Sequence, residues 1–473
     1  MNRAGQGPAR VAAPTLVGAD VEVPIVSGGS RRYVNLDYAA STAALTDVAD
    51  AVAAFLPWYS SVHRGAGFKS QVSTAAYEGA REIVRDFFNA RSTDTVVFVR
   101  NTTDATNLLA SALPEDTQVL AFETEHHANM LPWRRVSLRV TYLPAPDSPG
   151  SVLRTLELAL RGSAAANRIV AMTGASNVTG EVWPVHEAAA LAHRYGARVL
   201  LDGAQLAAHY PIDLQALGVD FLAVSAHKMY APFGAGVLIG PEDWLSAGSP
   251  HLRGGGAVDF VTLDSVLWSG LPERQEAGSP NVVGAVAMGA ACRALSQYGM
   301  DRLAADELEL AAYARRRVAA LPGVEVYGLW DSDTPRLGIV AFNVRGYWHS
   351  QVAAILSAEY GIGVRHGCFC AHPLMLHLLH VASDEAGAIR SEILAGNKGR
   401  VPGAVRASVG IGTTRDDIDA LCCALEVIVA DGPRWAYRLD PISGEYEPDP
   451  ETRRWPDLPV ALTTTAAGRS ESS

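Results

Sequence analysis

Between Tyr33 and about Gly289 the chain alternates short β-rich runs with amphipathic stretches of helical length. The runs Thr95–Val99, Gln118–Phe122, Arg168–Met172, Arg198–Leu201, Phe221–Val224 and Gly236–Ile239 read as strands. Helix-like segments lie among them at Thr74–Asn89, Thr103–Ala112, Ser151–Arg161 and Pro184–Tyr195. Strands joined by helices of that length imply βαβ units and a mainly parallel sheet covered on both faces, an α/β architecture. Periodicity weakens over Gly256–Pro280, which reads as a long functional loop. A helical stretch at Met300–Leu321 then leads to strands near Gly323–Tyr327, Gly338–Val344 and Ala404–Val409, with a helix at Ser350–Glu359 between them. These features suggest a smaller α/β domain packed on the first. The expected division is a flexible segment 1–30, a large domain 31–295, a small domain 296–430 and an extension 431–473. The extension is rich in Pro, Trp and charge, and reads as extended on the surface with a disordered end.

The chain has 473 residues, more than one domain of ordinary size. Its 39 basic and 50 acidic residues give a net charge of −11, which argues against a nucleic-acid partner. No apolar run reaches the ~18 residues of a membrane helix, and Pro and Gly interrupt the N-terminal stretch where a signal peptide needs an apolar core. A cytoplasmic protein is expected, with neither a nucleic-acid nor a membrane partner. The five cysteines, Cys292, Cys368, Cys370, Cys422 and Cys423, are odd in number and make a poor disulfide framework. Cys292 and the Cys422–Cys423 pair lie in helical contexts and read as core residues.

Only three basic residues are lysines: Lys69, Lys228 and Lys398. Of these, Lys228 alone follows a strand-like run, Phe221–Val224, and the neighbouring run Val199–Leu201 ends in Asp202. In open parallel sheets ligands bind outside the carboxyl ends of strands, so Asp202 and Lys228 point toward one crevice. A carboxylate beside a lysine, with hydroxyls near it, matches what pyridoxal phosphate requires. A plainer arrangement uses the same residues: Asp202 capping the next helix and Lys228 solvated in a loop.

The segment 199–240 resembles the cofactor-lysine segment of class V aminotransferase-like, fold-type I pyridoxal-phosphate enzymes, specifically the cysteine desulfurase/selenocysteine lyase branch. Further matches follow in order: YVNLDYAAST (33–42), SVHRGAGFKSQVST (61–74), FVRNTTDATNLLA (98–110), ETEHHANMLPW (123–133), SNVTGEVWPV (176–185), EAGSPN (276–281), GVRHGCFCAHPLM (363–375) and VRASVGIGTTRDDID (405–419). The resemblance implies a mainly parallel seven-stranded sheet in the large domain, pyridoxal 5′-phosphate as cofactor, and a homodimer. It implies that Lys228 holds the cofactor aldehyde, that Asp202 pairs with the pyridinium nitrogen and that Gln205 bonds the ring oxygen. His126 would stack on the ring. Thr102, Thr103, Ser225 and His227 would form the phosphate cup, and Ser279 would reach the phosphate of a partner subunit. Asn177 and Arg406 would hold the substrate carboxylate, with Arg365 and His63 also at the substrate.

Aligned from CAHPLM, the desulfurase nucleophile corresponds to Cys370, which would take sulfur from L-cysteine, or selenium from selenocysteine, and pass it to an acceptor that is a protein or a small molecule. The imidazoles His366 and His372 are candidates for raising its thiolate fraction. Other readings of the segment are open. Both cysteines suit packing roles, and the GCFC arrangement resembles the molybdenum-cofactor sulfurase version, in which Cys368 is the candidate thiol. The alternation of His366, Cys368, Cys370 and His372 invites a metal reading, but alternate residues of an extended strand lie about 6.5–7 Å apart in a line and cannot wrap a tetrahedral ion without a sharp bend, so no metal is expected. The segment 381–403 is longer than the compact branch requires and suits a lid or a partner site. Competing functions are a class V lyase, epimerase or aminotransferase without a persulfide step, and a non-catalytic scaffold.

Overall fold

A computed structural model describes residues 13–135, 138–331 and 334–458. Its central sheet has seven strands: β1 (Asp94–Val99), β2 (Gln118–Phe122), β3 (Arg139–Leu143), β4 (Arg168–Thr173), β5 (Arg198–Asp202), β6 (Phe221–Ser225) and β7 (Gly236–Pro241). Their spatial order is β1-β7-β6-β5-β4-β2-β3. The pairs from β6 through β3 are parallel, whereas β7 runs antiparallel to both β6 and β1.

The apolar runs divide between the two faces with the period of a strand. Val96, Leu120, Val170, Val199, Leu201, Leu222 and Val224 join the core beneath the helices Pro149–Arg161, Val185–Arg194 and Val282–Tyr298. Val97, Val119, Ile169, Leu200, Phe221 and Leu238 face the other way, against the helix Thr102–Ala112. A sheet buried on both faces turns its strand ends into the place where polar side chains can gather.

Past Gly299, whose φ of 94° separates Val282–Tyr298 from the helix Met300–Ala319, a second sheet forms. Its strands are β8 (Val324–Val326), β9 (Ile339–Val344), β10 (Arg365–Gly367) and β11 (Ala404–Ser408), antiparallel in the order β8-β9-β11-β10. The helices His349–Tyr360 and Arg415–Asp431 cover it around Phe342, Ile355, Leu425 and Ile428. The early segment Val34–Asn35 pairs with Ile362–Gly363, and the Ser408 N–H donates to the Leu36 carbonyl. That crossing brings Asp37 beside Arg406.

Several segments differ from the sequence reading. Within the expected loop 256–280, Val258–Val261 and Val266–Trp268 form a hairpin whose Phe260, Leu263 and Leu267 are exposed. Before residue 30, Leu16 bridges Leu45 and Glu22–Pro24 pairs with Ser30–Arg32, so residues 13–30 are tied down; residues 1–12 lie outside the described residues. In the extension, Tyr437–Asp440 and Glu445–Pro448 form a hairpin. It is anchored by Glu359, which accepts from the Arg434 and Trp435 N–H groups and the Tyr437 hydroxyl. The last dozen residues, read as disordered, lie outside the described residues. The segment 381–403 carries an exposed helix, Ser383–Leu394, and leans on that hairpin through the Lys398 N–H bond to Pro441. Cys292 and Cys422 are buried as expected, whereas Cys423 faces solvent on the outer side of its helix.

Candidate active site

Asp202 closes β5 and Ser225 closes β6, so both stand at the carboxyl end of the sheet. The chain leaves β6 through the short turn Ala226–Lys228 before β7 returns, which fixes Lys228 at the mouth of the same crevice. Asp202 is 4% exposed, and its Oδ1 accepts the Ala204 N–H at 3.0 Å. Burial pushes its carboxyl upward, opposed by that N–H and by the Lys228 charge. Burial pushes the Lys228 amine down to about 8, although Asp202 pulls the other way and Arg406 adds to the depression. Lys228 still opens onto a cavity of about 230 Å³ that Asp202 also lines.

One wall of the cavity is the start of the helix Thr102–Ala112, where backbone N–H groups lack helical partners. Asn101 caps it, accepting the Asp104 N–H at 3.0 Å. The Thr102 N–H donates to Ser225 Oγ at 2.8 Å, and the two hydroxyls lie 2.8 Å apart. Thr103 and His227 line the same wall, with His227 Nδ1 3.2 Å from Ser41 Oγ. Gly236 makes this approach possible: a Cβ there would sit 2.5 Å from the Val224 carbonyl and 2.8 Å from Asn101 Cα.

His126 also lines the cavity. Its Nδ1 accepts the Ala128 N–H at 3.0 Å, which places the ring proton on Nε2. Burial, with the charges of Lys228, His127 and Arg406, pushes its pKa down to about 3, so the ring is neutral. Gln205 donates through Nε2 to the Ala39 carbonyl at 2.8 Å and keeps a second amide hydrogen.

Arg406, 3% exposed, reaches the cavity from β11. Its Nη1 donates to the Asn177 carbonyl at 2.8 Å and its Nη2 to Asp37 Oδ1 at 3.2 Å, while its buried Nε has no partner. Burial pushes this guanidinium down to about 10, with Asp37 opposing. Arg365 lies 4.0 Å from the other Asp37 oxygen. A buried guanidinium with an unanswered donor in a cavity is suited to an anion, and a carboxylate offers the matching fork. Asp37, within YVNLDYAAST, has no role legible in the sequence; its contact with Arg406 and Arg365 reveals one.

The cysteine segment is not an extended line. Its strand ends at Gly367; then the Ala371 N–H closes a turn onto the Cys368 carbonyl at 2.9 Å, with Phe369 and Cys370 at φ 53° and 55°. Both are left-handed, a conformation that costs non-glycine residues about 1–2 kcal/mol each. The Phe369 carbonyl accepts Asn177 Nδ2 at 2.7 Å, and the Arg406 guanidinium lies 4.9 Å from its ring centroid. Cys370 lines the cavity together with Lys228 and Arg406. Cys368 is half-buried and packs with the cluster of Val178, Ala341 and Leu374. The two histidines named as thiol activators bond elsewhere: His366 Nε2 to Glu445 at 2.8 Å, with His349 stacked on its ring, and His372 to His127.

The cavity thus gathers Lys228, Asp202, Gln205, His126, Thr102, Thr103, Ser225, His227, Asn177, Arg365, Arg406 and Cys370. Two expected residues are elsewhere. Ser279 and His63 line a second, wider pocket of about 610 Å³ together with Arg64 and Glu273. No residue of 381–403 lines the first cavity, so that insertion does not lid it in this conformation. The donor set fits a phosphorylated pyridine aldehyde: an amine with a depressed pKa, a buried carboxylate, a hydroxyl-rich helix start and a neutral imidazole face one another. Among the described residues no group of three or more His, Cys, Asp or Glu side chains is arranged to hold a metal ion, and no helix is long and apolar enough to cross a membrane.

A family model described as aminotransferase class-V matches residues 34–421. A protein from Halalkalibacterium halodurans named a probable cysteine desulfurase is 38% identical over 403 residues, covering 83% of this chain and 92% of its own. A cysteine desulfurase from Klebsiella pneumoniae is 36% identical, over 78% of this chain and 86% of its own. Among solved structures, the apo cysteine desulfurase from Thermococcus onnurineus superimposes with a TM-score of 0.73 at 30% identity, over 84% of this chain and 94% of its own. A cysteine desulfurase from Escherichia coli gives 0.69 at 34% identity, over 83% of this chain and 94% of its own.

Proposed function

The chain belongs to the aminotransferase class-V family, and from that footing we propose that it is a pyridoxal 5′-phosphate-dependent cysteine desulfurase that converts L-cysteine to L-alanine and takes the sulfur as a persulfide on Cys370. The observation that carries this reading is the sharing of one cavity by Lys228, Arg406 and Cys370. The bound cofactor supplies an aldehyde that joins amines and a pyridinium ring that draws electrons from the substrate Cα. Asp202 would accept from the ring nitrogen, and the Thr103 N–H with the hydroxyls of Thr102, Thr103 and Ser225, and His227, would hold the phosphate. His126, a neutral imidazole, would cover the ring face, and Gln205 would donate to the ring oxygen.

Arg406 orients the substrate carboxylate, with Asn177 and Arg365 beside it. Lys228 would take the Cα proton on Nζ; its depressed pKa keeps a usable fraction of the amine unprotonated near neutrality. Cys370 Sγ, as thiolate, attacks the substrate sulfur. An S–S bond forms as the C–S bond breaks, the electron pair stays with the substrate Cβ, which takes up one proton, and Cα recovers the proton held on Lys228 Nζ to give alanine. We place the protein in the cytoplasm as a homodimer, with Ser279 reaching a partner subunit's cofactor phosphate and His63 near that partner's substrate. Their position in the second pocket, away from Lys228 of the same chain, supports this arrangement. The sulfur then passes to a protein or small-molecule acceptor, and selenocysteine is a further substrate of the same geometry.

The test is brief exposure to L-cysteine followed by peptide mass spectrometry and alanine analysis. An adduct of about +32 Da on the Cys370 peptide is expected, one added sulfur. Cys370→Ser should lose it, Cys368→Ser should keep it, and Lys228→Ala should abolish alanine formation. Sulfur transfer that survives in Cys370→Ser removes Cys370 from the mechanism.

A further inference from the structure

The left-handed turn that carries Cys370 is gripped from outside by one residue. The His127 N–H donates to the Cys370 carbonyl at 2.7 Å. The ring of the same residue reaches the other side of the turn: its Nε2 accepts the His372 N–H at 3.2 Å and lies 3.3 Å from His372 Nδ1. The two imidazoles stack with centroids 5.1 Å apart and planes 6° from parallel. Phe369 and Cys370 have no intrinsic preference for positive φ, so these bonds, with that from Asn177, hold the turn in place.

We propose that His127 is a positioning residue for the sulfur-accepting step, clamping the Cys370 turn through its backbone N–H and its unprotonated Nε2, and releasing that turn when the ring is protonated. The proposal rests on Cys370 being the working thiol. An accepting Nε2 requires the neutral ring with its proton on Nδ1. Protonation turns Nε2 into a donor facing the His372 N–H, so acceptor and bond vanish together. Burial and His372 hold the His127 pKa below its ordinary value, which keeps the clamp closed near neutrality. The titratable groups facing this ring are His126 on its own segment, and His372 and Cys370 across from it. Within the enzyme, the clamp keeps the thiol beside Arg406 and Lys228.

The test compares His127→Leu and His127→Gln in the holoenzyme. Glutamine offers an acceptor near the Nε2 position and does not titrate, whereas leucine keeps only the backbone N–H. The readout is the rate of Cys370 alkylation by iodoacetamide, measured by mass spectrometry relative to solvent-exposed Cys423 in the same sample. At pH 7.5 the leucine variant should show a Cys370 ratio about three- to tenfold lower, the size of one lost hydrogen bond, with cofactor absorbance unchanged. The glutamine variant should restore the ratio and should flatten its decline in acid. His372→Ala, which keeps the N–H but removes the stacked ring, should leave the ratio within about twofold and covers the case of a leucine variant that does not fold. Equal ratios in wild type and leucine variant, failure of glutamine to rescue, or a collapse in His372→Ala each overturns the clamp. These readouts report the turn whether or not Cys370 carries persulfide, so they fail separately from the sulfur-transfer test.

Discussion

Replacing Lys228 by methionine should stabilise the cofactor-free protein, and by an amount that depends on pH in a defined way. Burial pushes the amine down to about 8 in the fold, from an ordinary 10.5. Below pH 8 the lysine is charged in both folded and unfolded chains, and the folded chain carries the full cost of its burial. A difference of about 2.5 pKa units corresponds to about 3.4 kcal/mol. Between the two values the unfolded chain binds the extra proton, so wild-type stability rises with pH and the cost fades. The gain in Lys228→Met is therefore about 3 kcal/mol at most at pH 7 and about 1.4 kcal/mol at pH 9.5. These figures are upper values, because water entering the open cavity reaches part of the amine. Urea denaturation of both proteins after cofactor removal, at several pH values in that window, gives the difference directly. A gain that does not shrink as pH rises, or a loss at pH 7, refutes the reasoning and assigns Lys228 a favourable ion pair with Asp202 instead.

Arg406→Lys keeps a positive charge but loses the fork that meets the Asn177 carbonyl, Asp37 and the substrate; KM for L-cysteine should rise at least tenfold in steady-state kinetics, with the cofactor still bound. Gly236→Ala drives a methyl into the Val224 carbonyl and the Asn101 backbone. It should cost about 1–3 kcal/mol in denaturation and weaken cofactor binding measured by dialysis, because the displaced residue caps the helix that bears Thr102 and Thr103.

Most of the buried strands announce themselves as apolar runs because both faces of the sheet are covered, so β2 has the bounds its sequence suggests and β1, β4, β5, β6 and β7 extend by one or two residues at an end, whereas the edge strand β3, with its alternating exposed residues, is absent from the sequence reading. Lys228 and Asp202 are legible for a related reason: each stands where an apolar run stops. Other parts depend on contacts that local sequence does not carry. Asp37 meets Arg406 across 369 positions, and His127 meets His372 across 245. The turn at Phe369 and Cys370 lacks the Gly or Asn that signals positive φ, so alternation of His and Cys reads as strand where tertiary bonds impose a bend. The exposed hairpin 258–268 hides because its apolar side chains face outward, which removes the in–out period that marks a strand.

The reversed strand β7 sets where this chain can grow. Ser225 and Gly236 are ladder partners, so the run 226–235, with Lys228 in it, is pinned at both ends by hydrogen bonds of the central sheet. Extra residues there would push the amine out of reach or slide β7 against β1, and with it the helix start at Asn101. The run 381–403 has no such fastening and already holds an additional helix on the outside. The length of the lysine loop is thereby fixed by the sheet itself, while the rim has room for added chain.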